Sequence, residues 1–255
     1  MPENHYPASM QAPDITFPST LLVTEQTIDI SGFSPGQKAF YLNLFWEVVA
    51  VYRSKNKPRV ILGVAGPTGA GKSVVTVLFK ELARQAGLPV AFESVTIDAW
   101  HYPNAYLLSH FSAGEPLKKV KGRFDTYDVG GLVRELQAFA SGENVSFPIY
   151  SRKLHDPVAA GIPVTARDAL LLAEGLWLLY DAGGWERVGP LLDFRYFIDS
   201  DPERAKAPVL RRHITGGRTL EEATRHYEQV DARNSELVLR TKFRADQVIP
   251  PYYLI

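Results

Sequence analysis

The octapeptide GPTGAGKS, residues 66–73, has the residue types and spacing of a phosphate-binding loop. Its glycines let the backbone approach an anion and adopt dihedral angles that side chains forbid. The loop amides then point at phosphate from a helix N-terminus. We expect Lys72 to contact the β- and γ-phosphates of ATP and Ser73 to bind Mg²⁺. The predicted nucleotide-binding residues are Gly66, Pro67, Thr68, Gly69, Ala70, Gly71, Lys72, Ser73 and Val74.

Two carboxylates belong to apolar segments further along the chain. Asp98 closes the predicted strand 90–98, and Glu174 lies in the predicted strand 169–175. Ligands of open α/β sheets bind at the carboxyl ends of the strands, where a carboxylate can accept the proton of an incoming hydroxyl. Helix capping is the alternative role for Asp98. Because a charge beside an apolar strand needs a partner, we expect Glu174 to bind Mg²⁺, with a salt bridge as the alternative.

Polar and aromatic side chains between these carboxylates are predicted to line a pocket for a hydroxyl-rich acceptor. An arginine in such a pocket suits an anionic or hydroxyl-rich molecule, because its planar fork donates several hydrogen bonds. Packing is the alternative role for Tyr127. The histidines at 101, 110 and 155 lack the spacing of a helical zinc motif. The predicted acceptor-binding residues are His101, Asn104, Lys121, Arg123, Tyr127, Tyr150, Arg152 and His155.

The segment 201–219 is a local basic cluster, interrupted by two glycines in a helical region. A solvent-exposed helix face is the ordinary explanation of such a charge run. Beside a phosphate-binding loop we favour a lid that closes over the phosphates and excludes water. Arg212 and Arg204 are the predicted catalytic arginines. Asp231 and Asn234 lie further along the same helical stretch, where they could reach the acceptor or cap a turn.

Short apolar strands alternate with helical patterns along most of the chain, which predicts an α/β fold with a mostly parallel sheet between two helical layers. Residues 147–157 are interpreted as a linker. The aromatic residues of the first helix are assigned to the core. The predicted strands are 59–66, 90–98, 169–175, 193–199 and 246–249. The predicted helices are 38–55, 72–86, 129–142 and 202–239, the last broken at 215–218.

The first 36 residues are rich in Pro, Ser and Thr and lack sustained periodicity. We interpret residues 1–36 as a loosely ordered N-terminal extension, within which 21–30 could add an edge strand. Residues 37–255 form the predicted catalytic domain, with the lid at about 201–234.

Composition excludes several function classes. Lys and Arg total 28 and so do Asp and Glu, so the net charge of zero gives no electrostatic reason to bind nucleic acid. The absence of cysteine excludes disulfides, thiolate catalysis and cysteine-bound zinc. No apolar run is long enough to span a membrane and no secretory signal is visible, so we expect no membrane partner and a cytoplasmic location. A homodimer is left open.

Other classes of nucleotide-binding protein fit less well. Asn56 and Lys57 precede the phosphate loop, whereas a guanine-reading N-K-x-D would follow it. The sequence DAGG at 181–184 fits D-x-x-G but is too degenerate to separate from a turn. No LSGGQ-like signature follows the loop. These features disfavour a GTPase and an ABC-type ATPase.

The motifs together resemble a known family. GPTGAGKS, TIDAWHYPN, KGRFDTYD, FPIYSRKLHDP and LLAEG, in this order, are similar to the family of uridine kinase, phosphoribulokinase and bacterial pantothenate kinase. The nearest resemblance is to pantothenate kinases and to kinases assigned to sugar transport, over roughly residues 40–255. It implies a P-loop NTPase fold, use of ATP and magnesium, and transfer of a phosphoryl group to a small-molecule hydroxyl. Asp98 matches the family's proposed base, and Glu174 its glutamate near the metal.

Departures from the pantothenate kinase pattern bear on the substrate. Ala99 and Trp100 occupy the second and third places of the D-G-F-x-x-P-N element, and Arg152 and His155 replace a histidine and a tyrosine of the Y-S-H-x-x-Y-D element. We therefore expect a sugar-like or polyol acceptor before pantothenate, and pantothenate before a nucleoside. The alternative of another class is a nucleotide-sensing regulatory protein with a kinase fold.

Overall fold

The computed structural model of the protein describes residues 15–112 and 114–250. The helices are α1 (Pro35–Ser54), α2 (Lys72–Gln85), α3 (Asn104–Ser109), α4 (Val129–Ala140), α5 (Pro202–Thr215), α6 (Leu220–His226) and α7 (Ala232–Leu239). The strands are β1 (Thr20–Val23), β2 (Gln26–Asp29), β3 (Arg59–Ala65), β4 (Ala91–Thr96), β5 (Phe111–Ser112), β6 (Glu115–Pro116), β7 (Val145–Ser151), β8 (Asp156–Val164), β9 (Ala169–Gly175), β10 (Phe194–Ile198) and β11 (Gln247–Ile249).

Five parallel strands form the central sheet, in the order β11-β10-β3-β9-β4. Every residue of β3 and β9 is buried, as expected for strands covered on both faces. The register pairs Glu174 with Val64 on one side and with Thr96 on the other. The carboxyl ends of β3, β4 and β9 therefore meet at one edge of the sheet, and the prediction of a mostly parallel α/β fold is confirmed.

An apolar layer packs on each face of the sheet. One layer contains α1, α2 and the β1–β2 hairpin, and the other contains α4 and the buried rings of Trp177 and Trp185. Tyr41 and Phe45 of α1 are 2% and 0% exposed, so the aromatic residues of this helix serve the core as predicted. Aromatic side chains bury large apolar areas and stabilise such layers strongly.

The interpretation of residues 147–157 as a linker is wrong. β7 and β8 pair as an antiparallel hairpin, with a register irregularity between Phe147 and Ile149. Pro148 lies at that irregularity, where the ladder does not need its missing amide hydrogen. The hairpin stands apart from the central sheet. A proline inside a short run hid the strand pattern from sequence reasoning.

The N-terminal segment is described from residue 15, so residues 1–14 of the predicted extension lie outside the described part. β1 and β2 form a hairpin of their own instead of adding to the edge of the central sheet. Leu21 and Val23 are buried against the layer that contains α1 and α2. The hairpin turn holds Thr24 and Glu25 at φ of 45° and 66°, a left-handed conformation that is uncommon outside glycine.

The Glu25 carboxylate fastens this hairpin turn to the second hairpin. It accepts hydrogen bonds from Ser151 Oγ at 3.1 Å and from the Lys153 amide at 3.0 Å.

No helix among the described residues is both long and apolar enough to cross a bilayer.

Candidate active site

A cavity of about 860 Å³ opens at the carboxyl edge of the sheet, between the phosphate loop, the β7–β8 hairpin and the α5–α7 segment. It brings together most of the residues predicted from the sequence. Those that line it are Thr68, Gly69, Lys72, Ser73, Asp98, His101, Asn104, Lys121, Tyr127, Tyr150, Arg152, His155, Glu174 and Arg212.

The phosphate loop joins β3 to α2 through left-handed glycines. Gly69 and Gly71 have φ of 78° and 81°, and a Cβ on Gly66 would lie 2.7 Å from the Ile198 carbonyl oxygen. Only glycine fits these positions without strain. The loop therefore needs its glycines both for its dihedral angles and for its approach to β10.

The ammonium group of Lys72 lies inside this loop. It donates to the carbonyl oxygens of Gly66 at 2.9 Å and Pro67 at 2.8 Å. Burial lowers the pKa of Lys72 to about 8, partly opposed by the charge of Glu174. A charged lysine bound only to neutral carbonyls is ready to be stabilised further by an anion.

The helix α5 packs directly on the phosphate loop. A Cβ on Gly69 would lie 2.8 Å from Val209 Cγ2 and 2.9 Å from Ala205 Cβ. From α7, Ser235 Oγ accepts a hydrogen bond from the Thr68 amide at 3.3 Å. The α5–α7 segment therefore has the position of a lid over the phosphate site.

Ser73 and Glu174 meet where α2 begins beside the end of β9. Ser73 Oγ donates to Glu174 Oε1 at 2.7 Å. Glu174 is 4% exposed, and burial raises its pKa, although Lys72 opposes the shift. A hydroxyl and a buried carboxylate form an all-oxygen donor pair of the kind that Mg²⁺ prefers. These two residues therefore fit the predicted metal site.

Asp98 lies in a tight turn, Ile97–Trp100, that follows β4 and is capped by Thr96. Its Oδ2 is 3.6 Å from Arg152 Nη2. Burial raises the pKa of Asp98, but its electrostatic interactions with His101, Arg152 and Arg212 outweigh this effect and hold the pKa below its usual range. The side chain lines the cavity as an ionised carboxylate, so it can accept a proton there.

His101 packs beside Asp98 with one ring nitrogen unused. Its Nδ1 is 2.9 Å from the Asp98 carbonyl oxygen, which only an N–H can satisfy, so Nε2 carries the lone pair. Nε2 is buried and has no hydrogen-bond partner within residues 15–112 and 114–250. Burial lowers the pKa of His101 to about 4, so the ring is neutral at physiological pH. The ring centre lies 3.9 Å from that of Tyr127.

The opposite wall of the cavity carries Lys121 beneath the β7–β8 hairpin. Its Nζ donates to Asn104 Oδ1 at 2.9 Å and to the His155 carbonyl oxygen at 2.6 Å. The same Nζ lies 5.3 Å from the centre of the Tyr150 ring. His155 Nε2 in turn contacts the Gly216 carbonyl oxygen at 3.1 Å, which joins the hairpin to the lid.

The lid contributes a chain of polar contacts that sequence reasoning missed. Arg218 Nη1 donates to His213 Nδ1 at 3.0 Å, so His213 carries its proton on Nε2 and donates to Asp231 Oδ2 at 2.8 Å. His226 lies beside them, and the three groups His213, His226 and Asp231 are close enough to hold a metal ion. The hydrogen-bond chain already uses both nitrogens of His213, so it accounts for this cluster without a metal.

A π-helical turn, Tyr227–Asp231, precedes α7 and places Asp231 at the cavity. Asn234 Nδ2 donates to the Gly122 carbonyl oxygen at 3.0 Å. Asp231 and Asn234 are both buried and line the cavity, so they lie within reach of an acceptor.

Two predicted site residues lie elsewhere. Arg123 forms a bidentate pair with Asp125 and is not among the cavity residues. Arg204 is exposed on the first half of α5 and lines a second cavity of about 560 Å³. The remaining loop residues do not line the main cavity: Ala70 lines the second cavity and Val74 is buried in α2.

A comparison with models of known protein families identifies the family of this chain. Residues 61–252 match the phosphoribulokinase / uridine kinase family. The chain belongs to this family. The predicted relationship is confirmed. Because the members of this family are kinases, the chain is an ATP-dependent small-molecule phosphotransferase.

Individual relatives agree with this assignment. The chain is 31% identical to the uncharacterized protein YggC of Escherichia coli (strain K12), over 75% of this chain and 77% of that one. It is 32% identical to a pantothenate kinase of Agrobacterium fabrum, over 58% of this chain and 47% of that longer protein. The crystal structure of a "putative fructose transport system kinase" from Silicibacter sp. TM1040 superposes with a TM-score of 0.71 at 24% identity, covering 82% of this chain and 98% of that one. This last likeness supports the P-loop fold.

Proposed function

We propose that this chain transfers the γ-phosphoryl group of ATP to a hydroxyl of a small sugar-like or polyol metabolite. The observation that carries the proposal is the placement of the Asp98 carboxylate in the same cavity as Lys72, Ser73 and Glu174. In this arrangement a base faces the phosphate site across a space large enough for a small molecule.

In the proposed transfer, side chains of this protein act on both the acceptor hydroxyl and the phosphates of ATP. Asp98 accepts the proton of the acceptor hydroxyl as its oxygen forms a bond to the γ-phosphorus. The bond from the γ-phosphorus to the β–γ bridging oxygen breaks, and its electron pair leaves with ADP. Lys72 and Arg212 stabilise the charge on the phosphoryl oxygens. Ser73 and Glu174 would hold Mg²⁺, which neutralises phosphate charge when bound.

The second cavity suits the nucleoside part of ATP. Gly69 lines both cavities, so a triphosphate that crosses the loop at this glycine would reach from one cavity to the other. Apolar residues including Ile30, Phe33 and Ile249 line the second cavity. We assign Arg204 to this side, where its planar guanidinium can stack on a base. This base-stacking role replaces the catalytic role that the sequence predicted for Arg204.

The test is release of ADP with a panel of sugars, polyols, pantothenate and nucleosides. One acceptor should stimulate release, and Asp98→Asn should lower kcat by about 10²–10⁴-fold, the usual contribution of a general base, while ATP binding is retained. Arg84→Met, an exposed change at the far end of α2, is the control. Tight ATP binding without stimulation by any acceptor would favour the nucleotide-sensing alternative.

A further inference from the structure

The acceptor side of the cavity holds more positive charge than the proposed transfer requires. Among the residues that the structure describes, seven lysines and arginines line the cavity, against four carboxylates. Lys72 and Arg212 face the ATP phosphates in the mechanism above. The remaining lysines and arginines include a group around Asn104, at the end of the cavity formed by the lid and the β7–β8 hairpin.

Two ammonium groups in this part of the cavity converge on one neutral oxygen. Lys118 Nζ and Lys121 Nζ both donate to Asn104 Oδ1. The nearest carboxylate is Asp156, whose Oδ1 is 3.8 Å from Lys121 Nζ and already accepts the Asn104 amide at 2.7 Å. Like charges held together in a partly buried site are costly unless an anion joins them.

Arg218 completes the group from the lid. Burial lowers the pKa of Lys118 and the charge of Arg218 lowers it further, although Asp156 opposes the shift. Burial also lowers the pKa of Lys121 to about 8, and Lys118 lowers it further. Holding these positive charges together in a partly buried site is unfavourable. An anionic ligand bound among them would offset this unfavourable free energy.

The cluster and Asp98 line the same cavity, and the charge of Asp98 raises the pKa of Lys121. Lys121 Nζ and Arg152 Cζ both lie near the Tyr150 ring, at 5.3 Å and 5.9 Å from its centre. Arg152 in turn contacts Asp98. A molecule with a hydroxyl at Asp98 can therefore place a second group at Lys121.

We propose that Asn104, Lys118, Lys121 and Arg218 form an anion subsite, so that the acceptor carries a carboxylate or a phosphate monoester as well as the reacting hydroxyl. This inference rests on the proposed kinase function and narrows its substrate class. The two anions share their chemistry here, since lysine and arginine bind either through charge-assisted hydrogen bonds.

Matched acceptor pairs test the subsite and distinguish the two sources of charge. One pair is gluconate against sorbitol, and the other is fructose 6-phosphate against fructose. The charged member of at least one pair should have the higher kcat/KM. Lys121→Met and Arg218→Met should each lower that value about 10–100-fold, the effect of a lost charge-assisted hydrogen bond, and should lower the value for the neutral member clearly less.

Lys119→Met is the matched control, because Lys119 adjoins Lys118 but is 67% exposed and pairs with Glu115. It should leave both members of each pair unchanged. Equal use of charged and neutral members, or equal losses for both in the variants, would overturn the subsite.

Calorimetry with ADP and Mg²⁺ separates this inference from the proposed function. Binding of gluconate or fructose 6-phosphate that is weakened by Lys121→Met, without turnover of any acceptor, would support the subsite and refute the transfer. Failure of both charged probes to bind or react would refute the subsite, while nucleotide binding and turnover of a neutral acceptor would keep the proposed function.

Discussion

The contact between Arg152 and Asp98 predicts a change in the pH profile of the enzyme. Both side chains are about one-quarter exposed and their charged atoms are 3.6 Å apart. With an effective dielectric constant between about 40 and 80, Coulomb's law gives about 1–2 kcal/mol for this separation. Removing the arginine in Arg152→Met should therefore raise the pKa of Asp98 by about one unit.

The sign of the effect on activity follows from the role of Asp98 as a base. It must be ionised to accept a proton, so activity falls as the pH drops through its pKa. A raised pKa moves this fall to higher pH. We expect the acid limb of kcat/KM for the acceptor to shift by about one unit to higher pH in Arg152→Met. This shift is expected whether or not the maximal value of kcat/KM also changes.

Direct quantification of ADP between about pH 3 and pH 8 follows this limb in the variant and its onset in the unsubstituted enzyme. Arg84→Met removes one exposed arginine that pairs with Glu81 and should leave the limb in place. Asp98→Asn should abolish it together with most of the activity. A limb that stays in place or moves to lower pH in Arg152→Met would refute the electrostatic role of Arg152.

Two further predictions concern the phosphate side of the cavity. Glu174→Gln replaces the proposed charged magnesium ligand with a neutral amide, so the Mg²⁺ concentration for half-maximal activity should rise about tenfold or more; an unchanged titration would argue against Glu174 as a ligand. Because burial lowers the pKa of Lys72 to about 8 and ATP favours its charged form, ATP binding near pH 9 should take up a proton. Calorimetry in buffers of different ionisation enthalpy measures this uptake, and Lys72→Arg, charged throughout, should not show it.

Sequence alone could predict the parts of the site that belong to single segments. The phosphate loop needs glycines at fixed positions, and β3, β4 and β9 each carry an apolar run that ends near a functional residue. The parallel register then brings Ser73 and Glu174 together without further information. Asp98 was found for the same reason, since a strand end fixes where its side chain can lie.

Contacts between distant segments could not be predicted in this way. Nothing near Glu25 in the sequence shows that its carboxylate meets Ser151, because two hairpins must pack before the atoms approach. Arg204 and Arg212 lie on one helix and look alike in sequence, yet the packing of α5 on Gly69 puts them at different cavities. Tertiary packing, which residue type does not encode, separates their roles.

The N-terminal hairpin and the residues that follow it supply walls to both cavities. Glu25 and Gln26 border the first, and Ile30 and Phe33 border the second. These residues all precede residue 61, where the match to the family begins. If the two cavities bind acceptor and nucleotide as proposed, these walls contribute to selectivity from a region outside the family match. Two members of the family can therefore have the same catalytic groups and still use different acceptors, because the segments that precede the family match differ.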